Sequence, residues 1–242
     1  MSLHFRVSCH VSLPHLNTLT IDEYPPSSIL RIPSGASLSL GFDFSGEKSP
    51  LLDYLPEASA NLRNLARITV INLHFDSEEK FVQLSRPSGS LHVFARWVDW
   101  ETDSYTIDRR ILHSLGQPIL STTQRLTISK YRHPNRAEDE EPPVFQTLSS
   151  TNNLRTLILT KCENLPFILA LNPEENPSKP MLCPNLEEFV LYVKLRDQLH
   201  IECLISMVKN RASRGAKLLS ITCCVTSCWV GVFKLRESTS RI

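Results

Sequence analysis

A short pattern, apolar-x-x-apolar-x-apolar, returns along the chain. It reads Leu16, Leu19, Ile21; then Leu65, Ile68, Val70; then Thr123 (a polar first slot), Leu126, Ile128; then Leu154, Leu157, Leu159; then Leu186, Phe189, Leu191; and last Ala216, Leu219, Ile221. The middle members of the four late copies, Leu126, Leu157, Phe189 and Leu219, follow one another at a near-constant step. Such a step is what a stacked supersecondary unit produces. The early copies are less regular. The gap from Leu19 to Ile68 is wider, with a further strand at Leu38, Leu40 and Phe42 inside it and another at Leu91 and Val93 beyond. Alternate residues of a strand point to opposite faces, so the apolar members enter a core and the residues between them face outward. One such unit cannot bury its apolar face alone, so neighbours must stack.

Between these strands the spacing predicts helices. Residues 76–86 carry a cap-like Asp76, Glu79 three positions on, and then Phe81, Val82 and Leu84. Residues 106–115 set Ile107, Ile111, Leu112 and Leu115 on one face, with Gly116 to close the helix. Residues 50–65 carry Leu51, Leu52, Leu55, Leu62 and Leu65. The clearest helix is 200–213, where Ile201, Leu204, Ile205 and Val208 follow helical spacing and Gly215 ends the run. Strand, loop, helix, strand is the alternation of an α/β fold. The expected architecture is an irregular leucine-rich-repeat solenoid, with a parallel sheet on one face and helices and loops on the other. Residues 1–242 read as a single domain, incomplete at one or both ends because no polar cap is obvious there. Residues 131–143, with Pro134, Glu138, Asp139, Glu140, Glu141, Pro142 and Pro143, and residues 172–180, with Pro173, Glu174, Glu175, Pro177 and Pro180, read as exposed loops.

Composition narrows the function classes. The chain is 41% hydrophobic, enough for a sizeable core, and its 7 glycines against 16 prolines argue against glycine-rich nucleotide folds. A net charge of +1 supplies no excess for nonspecific nucleic-acid binding. The first residues hold His4, Arg6 and His10 and do not read as a secretory signal. The most apolar stretch, 218–233, is broken by Ser220, Thr222, Thr226 and Ser227, so a buried strand pair is expected there rather than a membrane span. The 7 cysteines are odd in number and form no CxxC, which fits a reducing cytoplasmic or nuclear setting.

Some stretches resemble a known family. LPHLNTLTI, NLRTLILTKC, CPNLEEFVLYV, the closing RASRGAKLLSI with VFKLRE, and ILRIPSGASLSL resemble the leucine-rich-repeat region of F-box-like proteins from mushroom-forming fungi. The resemblance covers about residues 13–236. It implies an α/β repeat fold that holds a protein partner. In complete F-box proteins a helical module also docks to the adaptor of a cullin-type ubiquitin ligase, and the repeats take the substrate. The F-box module, with its Leu-Pro-x-Glu-type helix, is missing here, so the adaptor is expected as a partner only if an F-box lies outside this chain. A truncated gene product or a repeat-only relative is the corresponding expectation.

Catalytic and cofactor motifs are absent or incomplete. SGEKS lacks the second glycine of a phosphate loop, and HExxH, GxSxG and GxGxxG do not occur. Cys223, Cys224 and Cys228 have no second ligand pair for zinc, and read as small strand residues. Cys162, three residues after Leu159, falls where leucine-rich repeats cap the turn after a strand. Cys183 precedes Pro184 at the start of a repeat. Neither has an assigned partner among His113, His133 and His200 for nucleophilic catalysis. Glu138 to Glu141 read as a solvated loop rather than a patch for a basic partner. Trp97 and Trp100, among Asp99, Glu101 and Asp103, offer either an aromatic contact patch or core packing, with packing preferred for at least one.

The expectation is therefore a non-enzymatic protein-interaction scaffold without metal or cofactor, and without nucleic-acid or membrane partners. It would serve as the substrate-recognition part of an F-box-type ubiquitin ligase receptor if the resemblance extends to function. The alternatives are an α/β, hydrolase-like enzyme with an unrecognised site, or a nonfunctional truncated fragment. The candidate partner-binding residues are those facing out from the sheet: Thr18, Thr20, Asp22, Arg67, Thr69, Arg125, Thr127, Thr156, Ile158, Thr160, Glu188, Val190 and Tyr192.

Overall fold

The computed structural model describes residues 11–12, 18–22, 30–31, 37–44, 68–76, 80–86, 91–97, 108–109, 111–113, 115–132, 142–175, 177–178, 180–192, 198–216, 218–225 and 229–234. The strands are β1 Val11–Ser12, β2 Thr18–Asp22, β3 Leu30–Arg31, β4 Ser37–Phe44, β5 Val70–Phe75, β6 Lys80–Ser85, β7 Leu91–Trp97, β8 Arg125–Ser129, β9 Thr156–Thr160, β10 Glu188–Tyr192, β11 Ser220–Val225 and β12 Trp229–Lys234. The helices are α1 Gly116–Leu120, α2 Pro143–Ser149, α3 Asn164–Leu171 and α4 Gln198–Ser213. β1 and β3 form a parallel pair, and the other ten strands form one sheet in the order β12-β11-β10-β9-β8-β5-β6-β7-β4-β2. Only β6 and β12 run against the rest. The fold is α/β, with a mostly parallel sheet. Among the described residues no helix is long and apolar enough to cross a membrane.

Register turns the sequence pattern into rows. Ile71 pairs with Leu126, Leu126 with Leu157, Leu157 with Phe189 and Phe189 with Ile221. A second row runs Leu73, Ile128, Leu159, Leu191, Cys223. All ten residues are buried, none more than 5% exposed. Because Ile221 is the partner of Phe189, the last copy is Leu218, Ile221, Cys223, not the expected Ala216, Leu219, Ile221. Leu219 is 58% exposed, whereas Leu218 is 7%. The β5 copy is likewise Ile68, Ile71, Leu73, three positions later than the expected frame, with Ile68 fully buried.

Each strand start is fixed by one carbonyl. Thr69 accepts from the N–H groups of Gln124 and Arg125, Gln124 from Arg155 and Thr156, Arg155 from Glu187 and Glu188, and Glu187 from Leu219 and Ser220. The strands end alike: Lys130 and Lys161, each one residue past its strand, take left-handed φ of 57° and 56°. This conformation is uncommon for a residue with a Cβ. Beneath the strand ends, Tyr131 meets Phe75 and Phe167 edge-on at ring separations of 5.3 and 6.1 Å, and Phe167 meets Phe145 at 5.4 Å. Such pairs add about 0.5–1.5 kcal/mol beyond area burial.

The helix expected over 76–86 is not formed; Lys80–Ser85 is strand β6, antiparallel to β5 and β7. Its alternation buries Lys80, Val82 and Leu84 on one face. The helix expected over 200–213 lies within α4, but turned from the expected face: Ile201 and Ile205 are 44% and 50% exposed, while Met207 and Arg211 are fully buried. The Arg211 guanidinium donates to the carbonyls of Leu171 (3.4 Å), Leu182 (2.9 Å) and Cys183 (2.6 Å), tying α4 to the end of α3 and the loop before β10. Burial pulls its pKa below the usual arginine value. At 106–115, residues 108–109 and 111–113 are helical. The helix expected at 50–65 lies outside the described residues. The two expected loops are anchored: Tyr131, Pro142 and Pro143 bound the first and are buried, and Asn172 and Pro173 open the second, also buried. Residues 133–141 lie outside the described set. The strand pair expected within 218–233 is formed by β11 and β12.

Candidate functional site

The outward face of the sheet carries three rows between the buried ones. The first runs Val70, Arg125, Thr156, Glu188, Ser220. The second runs Asn72, Thr127, Ile158, Val190, Thr222, and the third His74, Ser129, Thr160, Tyr192. Of the sequence candidates, Arg125, Thr127, Thr156, Ile158, Thr160, Glu188, Val190 and Tyr192 thus lie together on one common face of adjacent strands. Thr20 and Asp22, on β2, fall in the register of the first and second rows through β4, β7 and β6. Thr18 pairs with Ser37, one position pair before the first row. Thr69 precedes β5 and sits at the strand-start rim instead. Arg67, Trp100 and His133 lie outside the described residues; Trp97 is the last residue of β7.

The rows differ in character. Arg125 is exposed and Tyr192 is 39% exposed, whereas Ile158 and Val190, expected to face out, are only 9% exposed each. In the first row the Thr156 hydroxyl donates to Glu188 Oε2 at 3.1 Å. On the hairpin side, Asn72 Nδ2 donates to Gln83 Oε1 at 3.3 Å, and the His74 and Phe81 rings stack at 4.6 Å with 10° between planes. Asn72, His74, Phe81 and Gln83 share this candidate face and were missed by sequence reasoning. The alternation in VINLHF and KFVQLS was the signal for them.

The strand-start rim is polar. Asn153 Nδ2 donates to Ser121 O at 2.6 Å and Asn185 Nδ2 to Asn152 O at 2.8 Å, each reaching one repeat back. Arg155 faces Glu187 at 3.6 Å. Together with Thr69, Thr122 and Gln124 they line an open groove of about 540 Å³.

Cys162, Cys183, Cys203 and Cys223 are free thiols. Cys162 Sγ donates to Ile128 O on the neighbouring strand at 3.3 Å, closing the turn after β9. Cys183 Sγ donates to Leu148 O at 3.5 Å and lies 3.7 Å from Thr151 Oγ1. Burial pushes both thiols up to about 11, partly offset at Cys162 by backbone hydrogen bonds with Tyr131, Thr160 and Lys130 and at Cys183 by the Thr151 hydroxyl and the Arg211 charge. A thiolate nucleophile needs the opposite shift. His113 bonds through Nδ1 to Arg109 O at 2.8 Å. Among the described residues, no group of three His, Cys, Asp or Glu side chains could hold a metal ion. No family model, no curated protein and no solved structure matches the chain.

Proposed function

We propose that this chain is a protein-binding scaffold of leucine-rich-repeat type, an irregular solenoid whose outward sheet face holds a protein partner. One observation carries the reading. Apolar rows recur in strict register from β8 to β11, leaving on the opposite face continuous rows of polar groups around the nearly covered Ile158 and Val190. A surface that mixes an exposed tyrosine, an exposed arginine and a threonine-rich field around a small apolar centre has the make-up of an interface core and rim. The raised thiols support a non-catalytic role. The free thiols of Cys162, Cys183, Cys203 and Cys223 go with a reducing compartment, cytoplasm or nucleus. Substrate recognition for a cullin-type ligase is the specific form of this role that the family resemblance suggests, the adaptor being a partner only if an F-box module lies outside this chain.

The test is affinity capture with the full chain followed by mass spectrometry, using two variants. Arg125→Ala/Glu188→Ala/Tyr192→Ala alters the sheet face; Glu202→Ala/Lys209→Ala alters the exposed side of α4. Partners lost from the first variant and kept by the second, with both melting like the parent, are the expected result. Equal retention by both would sink the proposal.

A further inference from the structure

We propose a second site, an anion-binding cleft for a phosphoryl group carried by a small molecule, at the C-terminal ends of the central strands. The cleft holds about 390 Å³, within the range of roughly 300–1,000 Å³ typical of small-molecule sites. In open α/β sheets, ligands bind outside the carboxyl ends of the strands. Here Asp76 follows β5, Lys80 opens β6, Lys130 and Arg132 follow β8, Lys161 follows β9, and Asp108 comes from the helical segment before α1.

Charge decides the ligand class. Among the described residues the lining carries four cations and two carboxylates, a formal excess of two positive charges. Each carboxylate already has one lysine: Asp108 pairs with Lys80, both buried, and Asp76 pairs with Lys130. Asp76 also lies 4.0 Å from His74 Nε2, and Arg132 and Lys161, both exposed, bring the further positive charge that a phosphoryl dianion would match. Arginine binds phosphate in bidentate fashion, and lysine acts as a mobile point charge. The left-handed backbone at both Lys130 and Lys161 supports the assignment. Two residues with a Cβ adopt this costly conformation at equivalent strand ends, and both are lysines that line the same cleft.

This site stands apart from the outward-face reading and does not depend on it. The experiment is isothermal titration of the full chain with inorganic pyrophosphate at low ionic strength, where screening is weakest. Saturable one-to-one binding is expected, weakened at least tenfold by Arg132→Gln/Lys161→Gln and unchanged by Arg155→Gln on the opposite rim. Three results would overturn the proposal: no binding at millimolar pyrophosphate, parent-like affinity in the double variant, or equal weakening by Arg155→Gln. The substituted side chains are exposed, so loss of folding does not confound the comparison.

Discussion

From β8 to β11 the chain adds one parallel strand at a time, and a helix lies between each strand and the next. β5 and β6, by contrast, run antiparallel. Parallel neighbours require a crossover of a dozen or more residues, whereas antiparallel ones need only a tight turn. The first region is held by repetition, with equivalent apolar residues and equivalent carbonyls at each strand start. In the hairpin β5 carries one such copy, but β6 has none. The hairpin is held by particular pairs: Asn72 with Gln83, His74 against Phe81, and Lys80 with Asp108.

The sharpest break should come in the hairpin. Lys80→Met leaves the Asp108 carboxylate buried without its lysine, and removal of one partner of a buried pair costs about 3–5 kcal/mol. Urea unfolding should show that loss, and Lys80→Met/Asp108→Leu should recover most of it. A single variant as stable as the parent would mean that the pair does not hold β6. In the repeated region Leu157→Ala should cost about 2–5 kcal/mol by the same measurement, because its row neighbours Leu126 and Phe189 cannot close the gap. Thr156→Ala, one residue away on the outward face, should stay within about 0.5 kcal/mol. Similar losses for the two would deny that the strand has one load-carrying face.

Alkaline pH separates the regions more gently, since both perturbed thiols lie in the repeated one. Their ordinary value is 9.0, and the folded chain raises them to about 11. The folded state thus keeps protons that the unfolded state has released. Their contribution is complete below pH 9 and is lost as pH rises from 9 to 11. For fully buried Cys183 that loss is roughly 2–3 kcal/mol. Unfolding measured across this window should decline in the parent and decline less in Cys183→Ala. An identical slope in the two would refute the link.

Legibility followed repetition. Leu126, Leu157 and Phe189 were readable as equivalent because three copies with a steady step correct one another. The β11 copy was misread because Leu218 and Leu219 are both apolar, and only pairing with β10 selects Leu218 for the core. The β5 copy was misread because LARITVINL holds two overlapping frames, of which pairing with β8 selects the later. At the hairpin, Asp76 and Glu79 imitate a helix start, but the Asp76 carboxylate goes to Lys130, far along the chain. No local pattern carries that. Arg211 escaped for a related reason: an arginine on a helix reads as solvent-facing until the loop carbonyls it serves are seen to converge on it. Of the binding candidates, those on β8, β9 and β10 were found together. The hairpin's contribution and the charged cleft, built from non-repeating positions, were not.

The carbonyl ladder at the strand starts has a consequence for how such a chain can change length. Gln124 and Arg155 make the same bonds to the strand before and the strand after. Excision of residues 125–155 would join Gln124 to Thr156. The Thr69 carbonyl would then receive Gln124 and Thr156, and the Gln124 carbonyl would receive Glu187 and Glu188. Every junction closes as before, one strand shorter. Gain or loss of a whole unit is in this sense a substitution the backbone cannot distinguish from no change, so a gene that duplicates or drops such a segment starts from a hydrogen-bonded sheet rather than from a broken one.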